Sequence, residues 1–279
     1  MAPPDTAAEP SAAVAAALIA LVRQHTGIAM AEHKSVLLER RLRPRLQALA
    51  LPGYQQYLER LQSDTAEVTH FIDLVTTNDT LFFRTPALWT YLSEQFLPRW
   101  FDSHPGQCLQ IWSAAAASGE ELYSVAMLCE QFGRLHGAFR YQVLGTDISQ
   151  QMLELAAAGV YRGRSAARLQ REHPALCQAY CEPVPGGIRV RDNLKRHVRF
   201  ARHNLLQALR PAAQFDLLLL RNVLFYFEAP QQQAALDQLH ACLRPGGRLL
   251  LGESESIGNR HTGWKLEQPM GYRSDRERS

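Results

Sequence analysis

The sequence predicts an α/β protein in which a smaller all-α domain precedes a domain with a parallel β-sheet. From Ala12 to about Pro98 the apolar residues recur at helical spacing, with Pro and Gly at the breaks. After residue 106, short apolar runs alternate with helical patterns, which is typical of βαβ units. The run from Leu217 to Leu220 is apolar at every position, as a strand covered on both faces requires.

Changes in this pattern predict the domain boundaries. Residues 1–11 are rich in Pro and Ala and are expected to be a disordered lead. A helical N-terminal domain is predicted over residues 12–88, a linker over 89–106, and the α/β domain over 107–279. Within the last, the alternation stops between Val160 and Arg199, and Gly186-Gly187 favours a turn, so a small β-hairpin insertion is expected near 180–197.

Composition excludes several classes of protein. Of the 279 residues, 46% are hydrophobic and 20% are charged, as in ordinary globular proteins, and the formal net charge of +3 does not indicate nucleic-acid binding. The longest uncharged apolar stretches are too short to span a bilayer, and the N-terminus lacks a basic signal region, so we expect a cytoplasmic protein without membrane insertion. Five cysteines without paired spacing read as free thiols, and no metal site is expected.

Polar residues follow the predicted strands, where ligands bind in open α/β sheets. Small residues from Ser113 to Gly119 follow the first strand, and Glu121 opens the next helix. Their pattern is not the G-x-G-x-x-G typical of dinucleotide-binding loops, which argues against a dinucleotide-dependent oxidoreductase. Asp147 ends the second strand and could accept ribose hydroxyls or cap the following helix. Its spacing in the sequence supports the two roles equally. Glu121 in the first helical turn is more often an acid that compensates the helix dipole.

Two further strands end in Asn204-Leu205 and Asn222-Val223, where the amides could cap turns or contact an adenine edge. The helical half ends in TTNDTLFFR, residues 76–84, which resembles the lip of a site. Packing is the favoured interpretation for Phe82 and Phe83, ahead of ligand stacking. Arg84 is the single arginine of that segment and stays a candidate for function.

As a set, these segments resemble the CheR family of chemotaxis-receptor glutamate O-methyltransferases. The segments are TTNDTLFFR, IWSAAAASGEELYS, LGTD, HNLL, FDLLLLRNVLFYF and PGGRLLLGESES, and the resemblance runs from about Thr26 to Ser256. It implies a Rossmann-like methyltransferase domain that uses S-adenosylmethionine. The implied reaction esterifies glutamate side chains on the cytoplasmic helices of chemoreceptors and leaves S-adenosylhomocysteine, in chemotaxis adaptation.

The resemblance also implies residue roles. Arg84 and Tyr226 would line the active site. The cofactor contacts would be Asn78, Thr80, Arg84, Glu121, Asp147, Asn204, Leu205, Asn222 and Val223. The sequence departs from the family at Leu122, where Pro is usual, and in GESES, where GHSE is more usual.

The family further implies two surfaces that dock the chemoreceptor. One is a basic helix, here carrying Lys34, Arg40, Arg41, Arg43 and Arg45 against Glu32 and Glu39. The other is the small β-subdomain, which in some members binds a receptor C-terminal pentapeptide, and Val184 to Asp192 fits that role. The alternative for each is a solvated surface without a partner.

Two other functions compete with this interpretation. A methyltransferase acting on nucleic acid or a small molecule would share the cofactor fold, but the Asn/Asp-Pro-Pro-aromatic segment typical of DNA amino-group methyltransferases is missing from RNVLFYF. A catalytically silent adaptor would not need every implied position to be occupied. No nucleic-acid partner is therefore expected.

Overall fold

A computed structural model describes residues 9–209, 214–258 and 263–275. Residues 1–8 of the predicted lead lie outside the described residues. Over the described stretches the chain divides into two compact units, which we call the helical unit (residues 1–77 and 226–231) and the sheet unit (residues 78–225 and 232–279). No helix in the described part of the chain is long and apolar enough to cross a membrane.

The helical unit contains α1 (Ala12–Thr26), a 3₁₀ turn (Glu32–Lys34), α2 (Ser35–Ala48), α3 (Tyr54–Ser63) and α4 (Thr65–Val75). Polar caps fix the helix starts, since Ser11 Oγ accepts from the N–H of Val14 and Asp64 accepts from two N–H groups at the start of α4. Leucines at four-residue spacing in α2, such as Leu38 and Leu42, are buried in the core of this unit.

The sheet unit begins with α5 (Pro86–Tyr91), a π-helical turn (Leu92–Phe96) and α6 (Leu97–Ser103). The prediction of a linker over 89–106 therefore differs from the structure, because Trp89, Phe96 and Trp100 are buried in the core of the sheet unit. The predicted end of the helical domain at residue 88 also differs, since the helical unit ends at Thr77 in this part of the chain.

The strands are β1 (Cys108–Ser113), β2 (Arg140–Asp147), β3 (Val160–Arg162), β4 (Cys181–Val184), β5 (Gly187–Val190), β6 (Val198–Arg202), β7 (Phe215–Leu220), β8 (Leu243–Leu251), β9 (Trp264–Gln268) and β10 (Gly271–Ser274). Among the described residues the larger sheet has the order β6-β2-β1-β7-β8-β10-β9. The pairings from β6 to β8 are parallel, and β10 is antiparallel to its neighbours. The predicted parallel α/β architecture is confirmed.

The remaining helices are α7 (Glu120–His136), α8 (Gln150–Ala158), α9 (Gly163–Glu172), α10 (Pro174–Tyr180), α11 (Asp192–Lys195) and α12 (Ala229–Cys242). One glycine allows α7 to lie close to the sheet, because a Cβ on Gly145 would stand 2.2 Å from Leu122 Cδ2. Leu122 therefore packs directly on β2 at the position where the sequence departs from the CheR pattern.

The predicted insertion is a small antiparallel sheet of order β3-β5-β4. The hairpin of β4 and β5 turns at Gly186, whose φ of 73° suits glycine. Strand β3 adds to this hairpin, so the subdomain is larger than the predicted one. A Cβ on Gly187 would stand 2.0 Å from the carbonyl oxygen of Tyr161, so glycine is required where β5 meets β3.

The chain leaves β1 for β2 and β6 on one side and returns to β7 on the other. The switch point of the sheet therefore lies between β1 and β7. The carboxyl ends of these strands are where the sequence predicts the ligand site.

Candidate functional site

The loop after β1 is hydrogen-bonded to the strands on both sides of β1. The N–H of Ala114 donates to Leu219 O of β7 (2.8 Å), and the N–H of Ala116 donates to Thr146 O of β2 (2.9 Å). The loop ends at Gly119, where φ is 91° and a Cβ would stand 2.8 Å from that of Ala156. Small side chains along the loop allow a ligand to approach the backbone at the start of α7.

Asp147 is buried at the end of β2, and backbone N–H groups fix the orientation of its carboxylate. Its Oδ2 accepts from the N–H of Ala117 (2.8 Å), and its Oδ1 accepts from the N–H of Ser149 (2.9 Å). Ser149, not Asp147, is the N-cap of α8, since its Oγ accepts from the N–H of Met152. Carboxylate oxygens accept more than one hydrogen bond, so these contacts fix Asp147 without excluding ligand hydroxyls.

Glu121 takes part in a buried ion pair. Its Oε2 accepts from Arg221 Nη1 (2.7 Å) and its Oε1 from Ser113 Oγ (2.9 Å). The Arg221 side chain is only 3% exposed and also donates to Arg84 O (3.1 Å) and Thr85 Oγ1 (2.8 Å). Glu121 thus supplies the counter-charge of a buried guanidinium, and Arg221 links the first turn of α7 to the backbone beside Arg84.

The neighbouring Glu120 is also buried, and sequence reasoning missed it. Ser118 Oγ and Ser165 Oγ donate to its carboxylate at 2.7 and 2.8 Å. Burial raises the pKa of Glu120. Glu120 therefore ties α9 to the loop after β1.

Arg84 stands in a strained stretch of backbone. Its neighbours Phe83 and Thr85 have φ of 51° and 67°, and its carbonyl oxygen accepts from Trp89 Nε1 (2.7 Å) as well as from Arg221. Its guanidinium donates to Asp79 O (3.0 Å), and its side chain is 36% exposed. The backbone of Arg84 is therefore fixed from two sides while its side chain still reaches solvent.

The other members of TTNDTLFFR divide between packing and partial exposure. Phe82 and Phe83 are fully buried, and Phe82 packs on Tyr161 with ring centroids 4.8 Å apart, so the packing interpretation fits them. Asn78 and Thr80 are half-buried in the same segment. Their predicted contact with a cofactor stays a prediction.

Asn204 and Leu205 form the turn after β6. The Asn204 Oδ1 accepts from the N–H of Leu206 at 3.0 Å, which is the capping role, and Leu205 is buried. Their predicted contact with an adenine edge stays a prediction.

Asn222 and Val223 follow β7 in a turn that depends on Glu255. Asn222 has a φ of 60°, in the left-handed region. The N–H groups of Asn222 and Val223 each donate to the Glu255 carboxylate at 2.7 Å. Sequence reasoning missed Glu255, although it lies in the GESES segment that carried part of the family resemblance.

Tyr226 belongs to the helical unit, whereas Arg84 belongs to the sheet unit. Its carbonyl oxygen accepts from the N–H of Ala29 at 2.7 Å. Its predicted role at the active site stays a prediction.

The predicted basic helix, α2, uses part of its charge inside the helical unit. Arg41 donates to Val75 O (2.6 Å) and Thr76 O (3.2 Å), and burial lowers the pKa of Arg41. Arg45 donates two hydrogen bonds to the buried Glu67 (3.0 and 2.6 Å), which raise the pKa of Arg45.

Burial alone would raise the pKa of Glu67, but hydrogen bonds from Arg45 and Tyr57 outweigh it, and the pKa lies below its ordinary value. The other members of the predicted set face outward to different degrees. Lys34 and Arg40 are exposed and Arg43 is half-buried. These three residues, one just before α2 and two on it, carry the positive charge that a partner could contact.

The small antiparallel sheet borders a polar pocket of about 630 Å³. Arg189 forms an ion pair with Glu182 at its rim, and Arg191 is exposed beside it. The rest of the lining is Ala158, Val160, Asp192, Asn193 and Lys195. In the part of the chain that the structure describes, no group of three or more His, Cys, Asp or Glu side chains could hold a metal ion.

The sequence matches two protein-family descriptions that meet at the boundary between the two units. Residues 15–76 match the family described as "CheR methyltransferase, all-alpha domain". Residues 78–271 match the one described as "CheR methyltransferase, SAM binding domain".

Curated proteins with similar sequences are similar over most of their length. Chemotaxis protein methyltransferase 1 of Pseudomonas aeruginosa is 34% identical over 243 residues, which are 84% of this chain and 86% of that protein. The chemotaxis protein methyltransferase of Escherichia coli is 36% identical over 247 residues, 86% and 82% of the two chains. Among solved structures, the N-methyltransferase NodS of Bradyrhizobium japonicum with S-adenosyl-L-homocysteine covers 70% of both chains at 20% identity, with a TM-score of 0.36.

Proposed function

The chain belongs to the CheR methyltransferase family, and on that premise we propose that it methylates glutamate side chains on the cytoplasmic helices of a chemoreceptor. The family assignment makes it a methyltransferase with an S-adenosylmethionine-binding domain. The observation that carries the finer proposal is the arrangement at the sheet edge. Asp147 and Asn222 lie at the ends of the two strands on either side of β1, Asp147 binds the small-residue loop after β1, and Arg221, next to Asn222, binds the carbonyl of Arg84. The reaction would take place in the cytoplasm, where those receptor helices lie.

The residues at the sheet edge fit S-adenosylmethionine by their chemistry. The oriented carboxylate of Asp147 suits the ribose hydroxyls, and the small side chains from Ala114 to Gly119 leave room for the backbone to approach the ligand. We assign Asn78, Thr80, Asn204, Leu205, Asn222 and Val223 to the remaining contacts, and Arg84 to the edge nearest the reaction. When bound, this cofactor supplies a methyl group activated by a sulfonium.

Glu121 is proposed to act on the cofactor site indirectly. Whereas the partners of Asp147 are neutral backbone N–H groups, Glu121 accepts from the buried guanidinium of Arg221 as well as from Ser113 Oγ. Its contribution is then to pair with the guanidinium of Arg221 and fix its position, which holds the backbone of Arg84. Product formation would leave S-adenosylhomocysteine in the same site.

The chemistry at the substrate needs orientation and no general base. A glutamate with an ordinary pKa of about 4.3 is ionised at neutral pH and is already the nucleophile. Arg84 offers a planar guanidinium that can hold one carboxylate oxygen while the other attacks, and Tyr226 offers a hydroxyl donor for the same purpose. A site that excludes water favours the step, because opposite charges neutralise as the methyl group moves.

Two surfaces are proposed to dock the receptor. Lys34, just before α2, and Arg40 and Arg43 of α2 present positive charge that suits the acidic methylation region of a receptor helix. Arg41 and Arg45 stabilise the helical unit itself. Beside the small antiparallel sheet, the pocket rimmed by Arg191 suits the acidic end of a receptor tail, in receptors that carry a C-terminal pentapeptide.

The proposal is tested by incubating the protein with methyl-labelled S-adenosylmethionine and the cytoplasmic fragment of a chemoreceptor. We expect label on the fragment that is released as methanol at alkaline pH, since carboxylate methyl esters hydrolyse there and methylated amines do not. A fragment in which the acceptor glutamates are replaced by alanine is the matched control. Label that resists alkali, or that appears on the control fragment, would refute glutamate as the substrate.

A further inference from the structure

Four backbone N–H groups from the described residues converge on the carboxylate of Glu255. Those of Asn222, Val223 and Leu224 donate at 2.7 Å each, and that of Gly252 donates at 2.8 Å. Glu255 is 8% exposed, so these bonds form largely out of water. They join the turn after β7 to the end of β8.

Three consecutive N–H groups pointing at one anion form a concave backbone nest. Here the anion is a side chain of the same protein, and a carboxylate has enough lone pairs to accept all four donors. Because Asn222 adopts a φ of 60°, which L-residues seldom adopt, its turn persists only if its surroundings fix it. The Glu255 carboxylate provides that constraint.

The packing around Gly252 shows how closely the turn and the carboxylate fit. A Cβ on Gly252 would stand 2.6 Å from Glu255 Oε2 and 2.9 Å from Asn222 Nδ2. Gly252, Glu255 and Asn222 therefore pack without space between them. The Glu255 carboxylate therefore contacts the Asn222–Val223 turn directly.

We propose that Glu255 is a positioning residue that sets cofactor affinity by fixing the Asn222–Val223 turn. The inference rests on the proposed function, in which Asn222 and Val223 contact S-adenosylmethionine. Glu255 is not assigned a contact with the ligand, because its oxygens accept from the four backbone donors. Its contribution is the geometry of the turn.

The test compares Glu255→Gln with Glu253→Gln. Both changes replace a carboxylate by an amide within the same GESES segment, but Glu253 is exposed. Glu255→Gln keeps one carbonyl acceptor and places an amide N–H₂ against backbone donors. The affinity for S-adenosylhomocysteine is measured by calorimetry well below the unfolding temperature, and the KM for the receptor fragment is measured separately.

We expect Glu255→Gln to raise the Kd for S-adenosylhomocysteine about tenfold or more, since charge-assisted hydrogen bonds to the turn are lost. Glu253→Gln should keep the parent Kd, and the KM for the receptor fragment should stay within about twofold in both. Glu255→Asp keeps the charge at a shorter reach and should give an intermediate Kd.

A folded Glu255→Gln protein with the parent Kd and a lower unfolding temperature would overturn the inference, because the role would then be structural only. If Glu255→Gln does not fold, Glu255→Asp decides, and an unchanged Kd in that variant overturns it. A parent protein that binds no S-adenosylhomocysteine would instead contradict the proposed function.

Discussion

Replacing Glu121 by Gln removes the counter-charge of a guanidinium that has almost no access to water. The Arg221 side chain is 3% exposed, and Glu121 is its carboxylate partner at 2.7 Å. Gln at this position keeps the size of the side chain and can still accept from Ser113. The change therefore isolates the charge of the pair rather than its packing.

The expected cost follows from the burial of both partners. Breaking a buried ion pair by removing one charge costs about 3–5 kcal/mol, since the other charge stays desolvated. For a domain of about 150–250 residues, each kcal/mol lowers the unfolding temperature by roughly 2–4 °C, so Glu121→Gln should lower that of the sheet unit by roughly 6–20 °C. Combining Glu121→Gln with Arg221→Met removes both charges and should recover much of this loss.

Thermal unfolding followed by circular dichroism measures the effect. Glu154→Gln in α8 is the matched control, because Glu154 is exposed and its carboxylate accepts a hydrogen bond from Gln150 four residues away. We expect the control to unfold within about 1 °C of the parent. If Glu121→Gln does the same, Arg221 does not depend on Glu121, and the explanation of the Arg84 backbone given above fails.

Three further predictions concern catalysis, docking and acid stability. Arg84→Lys keeps the positive charge but loses the planar guanidinium, so turnover should fall on the order of 10²-fold with a smaller effect on cofactor affinity. Near-normal turnover in this variant would remove Arg84 from the mechanism. Arg40→Glu should raise the KM for the receptor fragment at low salt and leave cofactor affinity unchanged. The control Arg171→Glu, at another exposed arginine, should keep the parent KM. If Arg40→Glu also keeps the parent KM, α2 is a solvated surface. The folded-state pKa of Glu67 lies below its ordinary value, so its stabilising contribution is present above the ordinary value and is lost as the pH falls through the folded-state pKa. The free energy of unfolding measured in urea should therefore fall more steeply with acid in the parent than in Glu67→Gln.

The parallel sheet and the polar residues that end its strands could be predicted because the signals are local. The apolar run of β7 reads as a buried strand on its own, and Asp147 follows β2 directly. The residues that hold the site together could not be predicted in this way. Arg221 finds Glu121 across 100 positions of sequence, and Glu255 reaches Asn222 across 33. Only the fold brings those partners together.

The predicted linker over residues 89–106 differs from the structure for another reason. The helical pattern in the sequence predicts an end at about Pro98, but Pro98 lies in the first turn of α6, a position that proline tolerates. The positive charge of α2 was visible in the sequence. Which of its arginines are bonded inside the helical unit and which face outward was not. Arg41 and Arg45 have internal acceptors on α4 and just beyond it, which a charge count cannot reveal.

The central claim is that the carboxyl edge of the larger sheet binds S-adenosylmethionine through Asp147. The most direct measurement is a calorimetric titration with S-adenosylhomocysteine of the parent, of Asp147→Asn and of Asp237→Asn, an exposed control on α12. We predict that Asp147→Asn weakens binding by roughly 1–3 kcal/mol, about 5- to 150-fold, because its carboxylate accepts buried hydroxyls, while Asp237→Asn keeps the parent affinity. Equal affinity of folded Asp147→Asn and parent would contradict the claim.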